Sequence, residues 1–263
     1  MEFGICEYAY LPLRAGMSHR SEMVSQVLFG EVFEIVARHS DWTKIRLLHD
    51  NYTGWIETVT ISAFMPEKQD ASYVNERYVV RDVPTMMIKN EKNQIFVPKG
   101  SLLPKSALTD RSFNIGNNNY YILSDMTERT ETDIRHSIIR DAEDLIETPY
   151  LWGGRSQWGI DCSGFVQLVY RLSGLLMPRD ASEQAKLGNT MSFISEAKPG
   201  DLAFFDNEDG NIVHVGIVYS ASEIIHASKK VRIDRIDHNG IYNDELKKYT
   251  HQLRVMKNII GTL

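Results

Sequence analysis

GIDCSGFVQLVYRL, residues 159–172, sets one of the chain's two cysteines at the first turn of an expected helix. Asp161 stands at the N-cap, and Phe165, Val166, Leu168, Val169 and Leu172 recur at helical spacing as an apolar face. Cys162 therefore falls among unpaired backbone N–H groups at the positive end of a helix dipole, a setting that lowers a thiol pKa of about 8.5. One reading of that position is a reactive thiolate. The other is a buried, inert thiol, since free cysteine is among the most buried residue types. Position alone does not choose between them.

Further along, KPGDLAFF, NIVHVGIVY and EIIHAS between Lys198 and Ser228 each read as a short strand. Apolar residues are nearly continuous in 202–205, 212–218 and 224–227, with Gly, Asn, Asp and Ser between them as turns. Alternation puts His214 on one face together with Gly216, which leaves room beside the imidazole. His226 follows on the next strand, where a hairpin pairing lets the two rings meet. A cysteine, a histidine able to take its proton and a third polar group that orients the histidine compose the general arrangement of a thiol nucleophile. A single strand histidine is usually a satisfied core residue; two on adjacent strands after a helix-capped cysteine are harder to read that way.

These residues resemble the NlpC/p60 cysteine peptidases of bacterial cell-wall turnover. The resemblance runs from about Thr130 to the C-terminus through PYLWGG (149–154), RSQWGI, DCSGF, PRDASEQ (178–184), PGDLAFF, HVGIV and IIHAS. It implies Cys162 as nucleophile, His214 as general base and His226 as third member. The implied fold is α+β and papain-like, with the cysteine-bearing helix packed on a small antiparallel sheet that carries the histidines. No cofactor is expected, and no metal either, because Cys162, His214 and His226 lack zinc-like spacing. His19, His39, His49, His136, His238 and His251 are expected at the surface.

The first half of the chain reads as strands and turns. Residues 28–57, LFGEVFEIVARHSDWTKIRLLHDNYTGWIE, alternate through Val32, Ile35 and Trp42 with turn residues at Gly30 and 51–54. This stretch resembles a bacterial SH3-like barrel, and residues 72–124 repeat the style more weakly. The expected organisation is two small all-β SH3-like barrels, 1–62 and 73–124, followed by a peptidase domain over 130–263. Linkers are expected at 63–72 and 124–132, the second running into a helix with Thr130 and Asp133 at capping-box spacing. Ile134, Ile138, Ala142, Leu145 and Ile146 would form that helix's buried face.

Composition sets outer bounds. The 263 residues allow two or three domains, and 43% hydrophobic with 24% charged residues is ordinary globular usage. A net charge of −6 offers no basic footprint, so neither nucleic acid nor an anionic membrane is an expected partner. Two cysteines make no disulfide framework, and a reducing, cytoplasmic setting is expected. The first twenty residues lack a basic segment followed by an apolar core. Removal of an export signal would instead fit the periplasm or secretion. A monomer is expected.

The whole chain is similar to a branch of the family, the γ-D-glutamyl-L-diamino acid endopeptidases, also called dipeptidyl-peptidase VI. That resemblance implies cleavage after D-glutamate in stem peptides with a free N-terminal L-alanine, the diamino acid being lysine or diaminopimelate. It places Glu22, Tyr52 and Asp161 around the substrate amine, because an ammonium taken out of water needs carboxylate and hydroxyl partners. Trp152, Ser163 and Ser182 are further expected substrate contacts. On the residues alone, Glu22 reads equally as an exposed helix residue, Tyr52 as a turn aromatic, Asp161 as a helix cap, Ser163 and Ser182 as exposed or capping serines, and Trp152 as core. The alternative activity is that of a general peptidoglycan endopeptidase or amidase anchored by its SH3-like domains.

Overall fold

The structure is a computed structural model, and it describes residues 1–81, 85–126 and 133–262. The chain divides into two compact units, Met1–Thr130 and Glu131–Leu263.

In the first unit, β1 (Phe3–Ile5), β2 (Tyr10–Arg14), β3 (Met23–Leu28), β4 (Val32–His39), β5 (Trp42–Leu47), β6 (Thr53–Glu57) and β7 (Ser62–Ala63) form one sheet. Its order is β3-β2-β6-β5-β4-β1-β7. The alternating residues of 28–57 bury Phe33, Ile45, Leu47 and Ile56, which join Leu11, Leu13, Val27 and Cys6 in a single core. Cys6 is wholly buried, and its thiol donates to the carbonyls of Tyr8 and Val27 at 3.3 Å. Burial drives that thiol's pKa far up, so Cys6 is inert packing.

After the short helix α1 (Ser72–Asn75) come β8 (Arg77–Val79), β9 (Thr85–Lys89), β10 (Asn93–Val97), β11 (Leu102–Pro104), α2 (Ala107–Asp110), β12 (Ser112–Ile115) and β13 (Asn118–Ile122). They pair as a four-stranded sheet, β10-β9-β13-β12, and a separate ladder, β11-β8. Residues 73–124, where a second small SH3-like barrel was expected, thus carry two separate antiparallel sheets among the described residues. The buried carboxylate of Glu7 accepts from Lys89, Asn118 and Tyr120, tying the four-stranded sheet to the loop after β1.

The second unit opens with α3 (Ile134–Glu143), capped by Asp133, whose carboxylate accepts from the N–H groups of Arg135 and His136. Asp133 is thus the cap itself and not the third helical residue; Thr130 lies outside the described residues. Ile138, Ala142 and Leu145 are buried, whereas Ile134, at the first helical position, and Ile146, beyond the last, are exposed. The small ladder β14 (Arg155–Ser156) and β15 (Gly159–Ile160) then leads into α4 (Cys162–Leu172), all of whose residues are buried.

Next come α5 (Ala181–Gln184), β16 (Asn189–Met191), β17 (Leu202–Asp206), β18 (Ile212–Ser220), β19 (Glu223–Ser228), β20 (Lys230–Asp237), β21 (Gly240–Asn243) and β22 (Lys248–Asn258). Their order is β16-β22-β17-β18-β19-β20-β21, and β21 also pairs with β22. That last pairing closes the expected antiparallel sheet into a six-stranded barrel. Ala203, Phe205, Val218, Ile224, Ile236, Ile241 and Met256, drawn from all six strands, form one cluster and so fill the barrel interior.

Candidate active site

The site begins with the cap of α4. Asp161 accepts from the Gly164 N–H at 2.7 Å, holding Cys162 in the first turn. Gly164 is required there, since a Cβ would stand 2.2 Å from the Gly154 carbonyl oxygen. The PYLWGG and DCSG segments are thereby locked against each other.

His214, His226 and Asp234 share strand faces with Val218, Ile224 and Ile236, so alternation points them into the barrel. The β18–β19 ladder stops at Ile217 opposite Ile225, which leaves the 214–216 segment unpaired along that edge. There the Val215 backbone faces the Cys162 sulfur and lowers its pKa, which puts the thiol beside the histidine strand. His214 Nε2 lies 2.8 Å from His226 Nδ1, and His226 Nε2 lies 3.1 Å from Asp234 Oδ2. Arg232 donates to Asp234 Oδ1 at 2.8 Å. Nδ1 is therefore the nitrogen of His214 left for the thiol. Gly216 makes the pairing of rings possible: a Cβ there would fall 2.9 Å from His226 Cβ.

The pKa shifts bear on the two readings of the thiol. Burial, and then the Asp161 carboxylate, push the Cys162 thiol up to about 11, outweighing the lowering by the Val215 and Ser163 amides and Arg179. Burial, with His226 and His251 nearby, holds His214 well below its ordinary range. His226 is lowered by burial against the pull of Asp234. These shifts favour a neutral thiol beside a neutral imidazole.

Asp161 does more than cap. Its carboxylate pairs bidentately with Arg179, at 3.1 and 2.5 Å, and accepts from the Gly153 N–H at 2.8 Å. Ser163 accepts from Arg179 at 2.8 Å and leans on Asp161 at 3.3 Å. Both residues are buried and committed to this cluster, which leaves Asp161 little lone-pair capacity for a ligand. Trp152 is 60% exposed, so it is not core. Ser182 is exposed on α5. On the first unit, Glu22 is exposed in the bend before β3 and not in a helix, while Tyr52 packs half-buried against the core.

Sequence reasoning missed four residues here. Arg179 lies inside the quoted PRDASEQ stretch but carried no motif of its own, and Asp234 is identified only by strand register. Tyr150 has its phenol pushed up by burial first and then by its neighbours Cys162 and Asp161, which keeps it an O–H donor near Cys162. His251, expected at the surface, stacks on His214 with ring centroids 4.1 Å apart. His49 is also not a surface residue: it is buried, 3.2 Å from the Asp50 carboxylate.

Nitrogens of His214, His226 and His251 lie within 4.8 Å of one another, close enough to invite a metal. Yet the His214 and His251 planes differ by only 26°, so their lone pairs run side by side, and the first two rings already share a hydrogen bond. The arrangement suits proton transfer better than coordination.

Among known proteins, residues 147–254 match the NlpC/P60 family and residues 13–60 match the bacterial dipeptidyl-peptidase Sh3 domain. A Bacillus subtilis (strain 168) protein named gamma-D-glutamyl-L-lysine dipeptidyl-peptidase is 28% identical over 233 residues, covering 82% of this chain and 76% of the relative. A probable endopeptidase p60 of Listeria seeligeri is 39% identical, but over 104 residues, 39% of this chain and 20% of the relative. An NlpC/P60 family protein of Bacillus cereus ATCC 10987 has the same fold, with a TM-score of 0.77 at 20% identity, covering 98% of this chain and 100% of that one.

Proposed function

The chain belongs to the NlpC/P60 peptidase family and carries an N-terminal bacterial SH3 domain, and from that premise we propose that it hydrolyses the γ-D-glutamyl-L-diamino acid bond of free stem peptides, releasing L-Ala-D-Glu. One observation carries the reading. Similarity to the dipeptidyl-peptidase covers 82% of this chain, more than the peptidase match alone can hold, whereas similarity to the p60 endopeptidase covers 39% of it.

In the proposed mechanism Cys162 is the nucleophile, His214 the general base and His226 its orienting partner. As the sulfur attacks the γ-carbonyl, its proton passes to His214 Nδ1. The oxyanion is met by N–H groups at the start of α4 and by the Tyr150 hydroxyl. His214 then protonates the departing α-amine as the C–N bond breaks, leaving a thioester. Water, deprotonated by His214, cleaves the thioester and restores the neutral thiol. Glu22 and Tyr52, both within the SH3 match, and Trp152 and Ser182 are the proposed substrate contacts, while Asp161 and Ser163, expected in that role, are held by Arg179 and shape the site around Cys162. The proposed domains are 1–62, 73–124 and 130–263.

The test is mass spectrometry of L-Ala-γ-D-Glu-L-Lys and of its diaminopimelate counterpart after incubation with the protein. Release of L-Ala-D-Glu is expected, with N-acetylated peptide left uncut. Equal cleavage of acetylated peptide or of intact peptidoglycan refutes the free-amine requirement and favours a general wall endopeptidase.

A further inference from the structure

The hydrogen-bonded chain does not stop at the second histidine. Asp234 sits on β20, nearly buried, with one carboxylate oxygen on His226 and the other on Arg232. Arg232 is braced in turn by Glu245 at 3.3 Å. His251 stands on the far side, its ring centroid 5.7 Å from that of His226. Burial pushes the Asp234 carboxyl up, but the bonds from His226 and Arg232 and their charge hold it below its ordinary value, so it acts as an acceptor only.

We propose that Asp234, held by Arg232, is a positioning residue that sets the tautomers of both histidines. An ionised Asp234 accepts the Nε2–H of His226, so His226 presents a bare Nδ1. His214 must then carry its proton on Nε2 to donate across the 2.8 Å contact, and its Nδ1 stays bare for the thiol. The same bonds stabilise the imidazolium that forms when the thiol proton arrives. This inference rests on the reading of Cys162 and His214 as nucleophile and base.

Arg232 makes the idea sharply testable, because a guanidinium only donates. In Asp234→Asn the amide oxygen is drawn to Arg232, which turns the NH2 toward His226 Nε2. His226 must then carry its proton on Nδ1 and donate to His214 Nε2, which moves the His214 proton to Nδ1, against the sulfur. The base is switched off by a near-isosteric change. Asp234→Ala imposes no tautomer and is the milder variant.

The experiment is nitrogen-15 correlation spectroscopy of the imidazoles in the full chain near neutral pH, together with kcat and KM on the free tripeptide. The unmodified protein should carry both protons on Nε2, and Asp234→Asn should carry both on Nδ1. Turnover in Asp234→Asn should fall ~10³–10⁴-fold with KM nearly unchanged, the scale of a wrong tautomer in a nucleophile–histidine–aspartate site. Asp234→Ala should lose about 10–100-fold, as for other orienting partners. A His226 proton found on Nδ1 in the unmodified protein, or an Asp234→Asn variant more active than Asp234→Ala, overturns the proposal. Failure of the unmodified chain to cut the tripeptide would refute the substrate assignment alone, since the tautomers are read without substrate.

Discussion

Gly216→Ala isolates the contact between the two histidines. The new methyl group would stand 2.7 Å from Ile224 Cδ1 and 2.9 Å from His226 Cβ, where ordinary contact begins at 3.4 Å. Ile224 can rotate its terminal methyl away, but Ile224 Cγ1, also at 2.9 Å, and His226 Cβ sit close to the backbone of β19 and cannot yield without it. Relief therefore requires β19 to retreat by about half an ångström, which stretches the 2.8 Å bond between the rings to about 3.3 Å, the outer edge of a useful hydrogen bond. Overpacking of this kind costs about 1–3 kcal/mol of stability. A misplacement of ~1 Å costs on the order of 100-fold in rate, so a shift of half that size should lower kcat about 10-fold or somewhat more. KM should hardly move, because the methyl group touches no proposed substrate contact. Steady-state kinetics on the free tripeptide and urea unfolding of the same preparation give both quantities. A Gly216→Ala enzyme with kcat within about twofold of the parent, or one changed only in KM, refutes the claim that the ring-to-ring bond governs the base.

The remaining expectations concern the thiol, the buried charge cluster and pH. Cys162→Ser should abolish turnover and Cys6→Ser spare it, and iodoacetamide should label Cys162 in preference to Cys6. With the Cys162 thiol raised to about 11, alkylation of the free enzyme should keep accelerating well above pH 8.5, and a plateau below pH 7 would contradict the neutral-thiol assignment. Asp161→Ala strands the buried Arg179 cation and uncaps α4, so chemical denaturation should register a loss of about 3–5 kcal/mol; a loss below about 1 kcal/mol would mean that the pair is not buried as described. His214, His226 and His251 (the last lowered to about 4) all have depressed folded pKa values, so the unfolded chain binds protons first as pH falls below about 6.5. Each should remove about 1.4 kcal/mol of stability per pH unit between its unfolded and folded values, and thermal midpoints flat from pH 7 to 5 would argue against buried neutral imidazoles.

Local sequence determined a good deal. The cap at Asp161, the apolar spacing of α4 and the alternation of the strands from Leu202 onward all follow from interactions within a few residues, and they reappear as written. The room beside His214 was equally legible, because a glycine two residues along a strand lies on the same face. What sequence could not supply was register. Asp234 reaches His226 only because β19 and β20 pair with His226 opposite Arg232. His251 reaches His214 because β18 and β22 both pair with β17, and neither fact is written in local periodicity. The thiol's charge depends on both levels: a helix dipole is a local property that favours the thiolate, whereas burial and the neighbouring Asp161 charge, which push its pKa up, depend on the assembled fold. Short-range patterning thus chose the elements and the chemistry-bearing residues. Long-range packing decided their partners and their charge, because desolvation and cross-strand contact exist only once the chain has closed on itself.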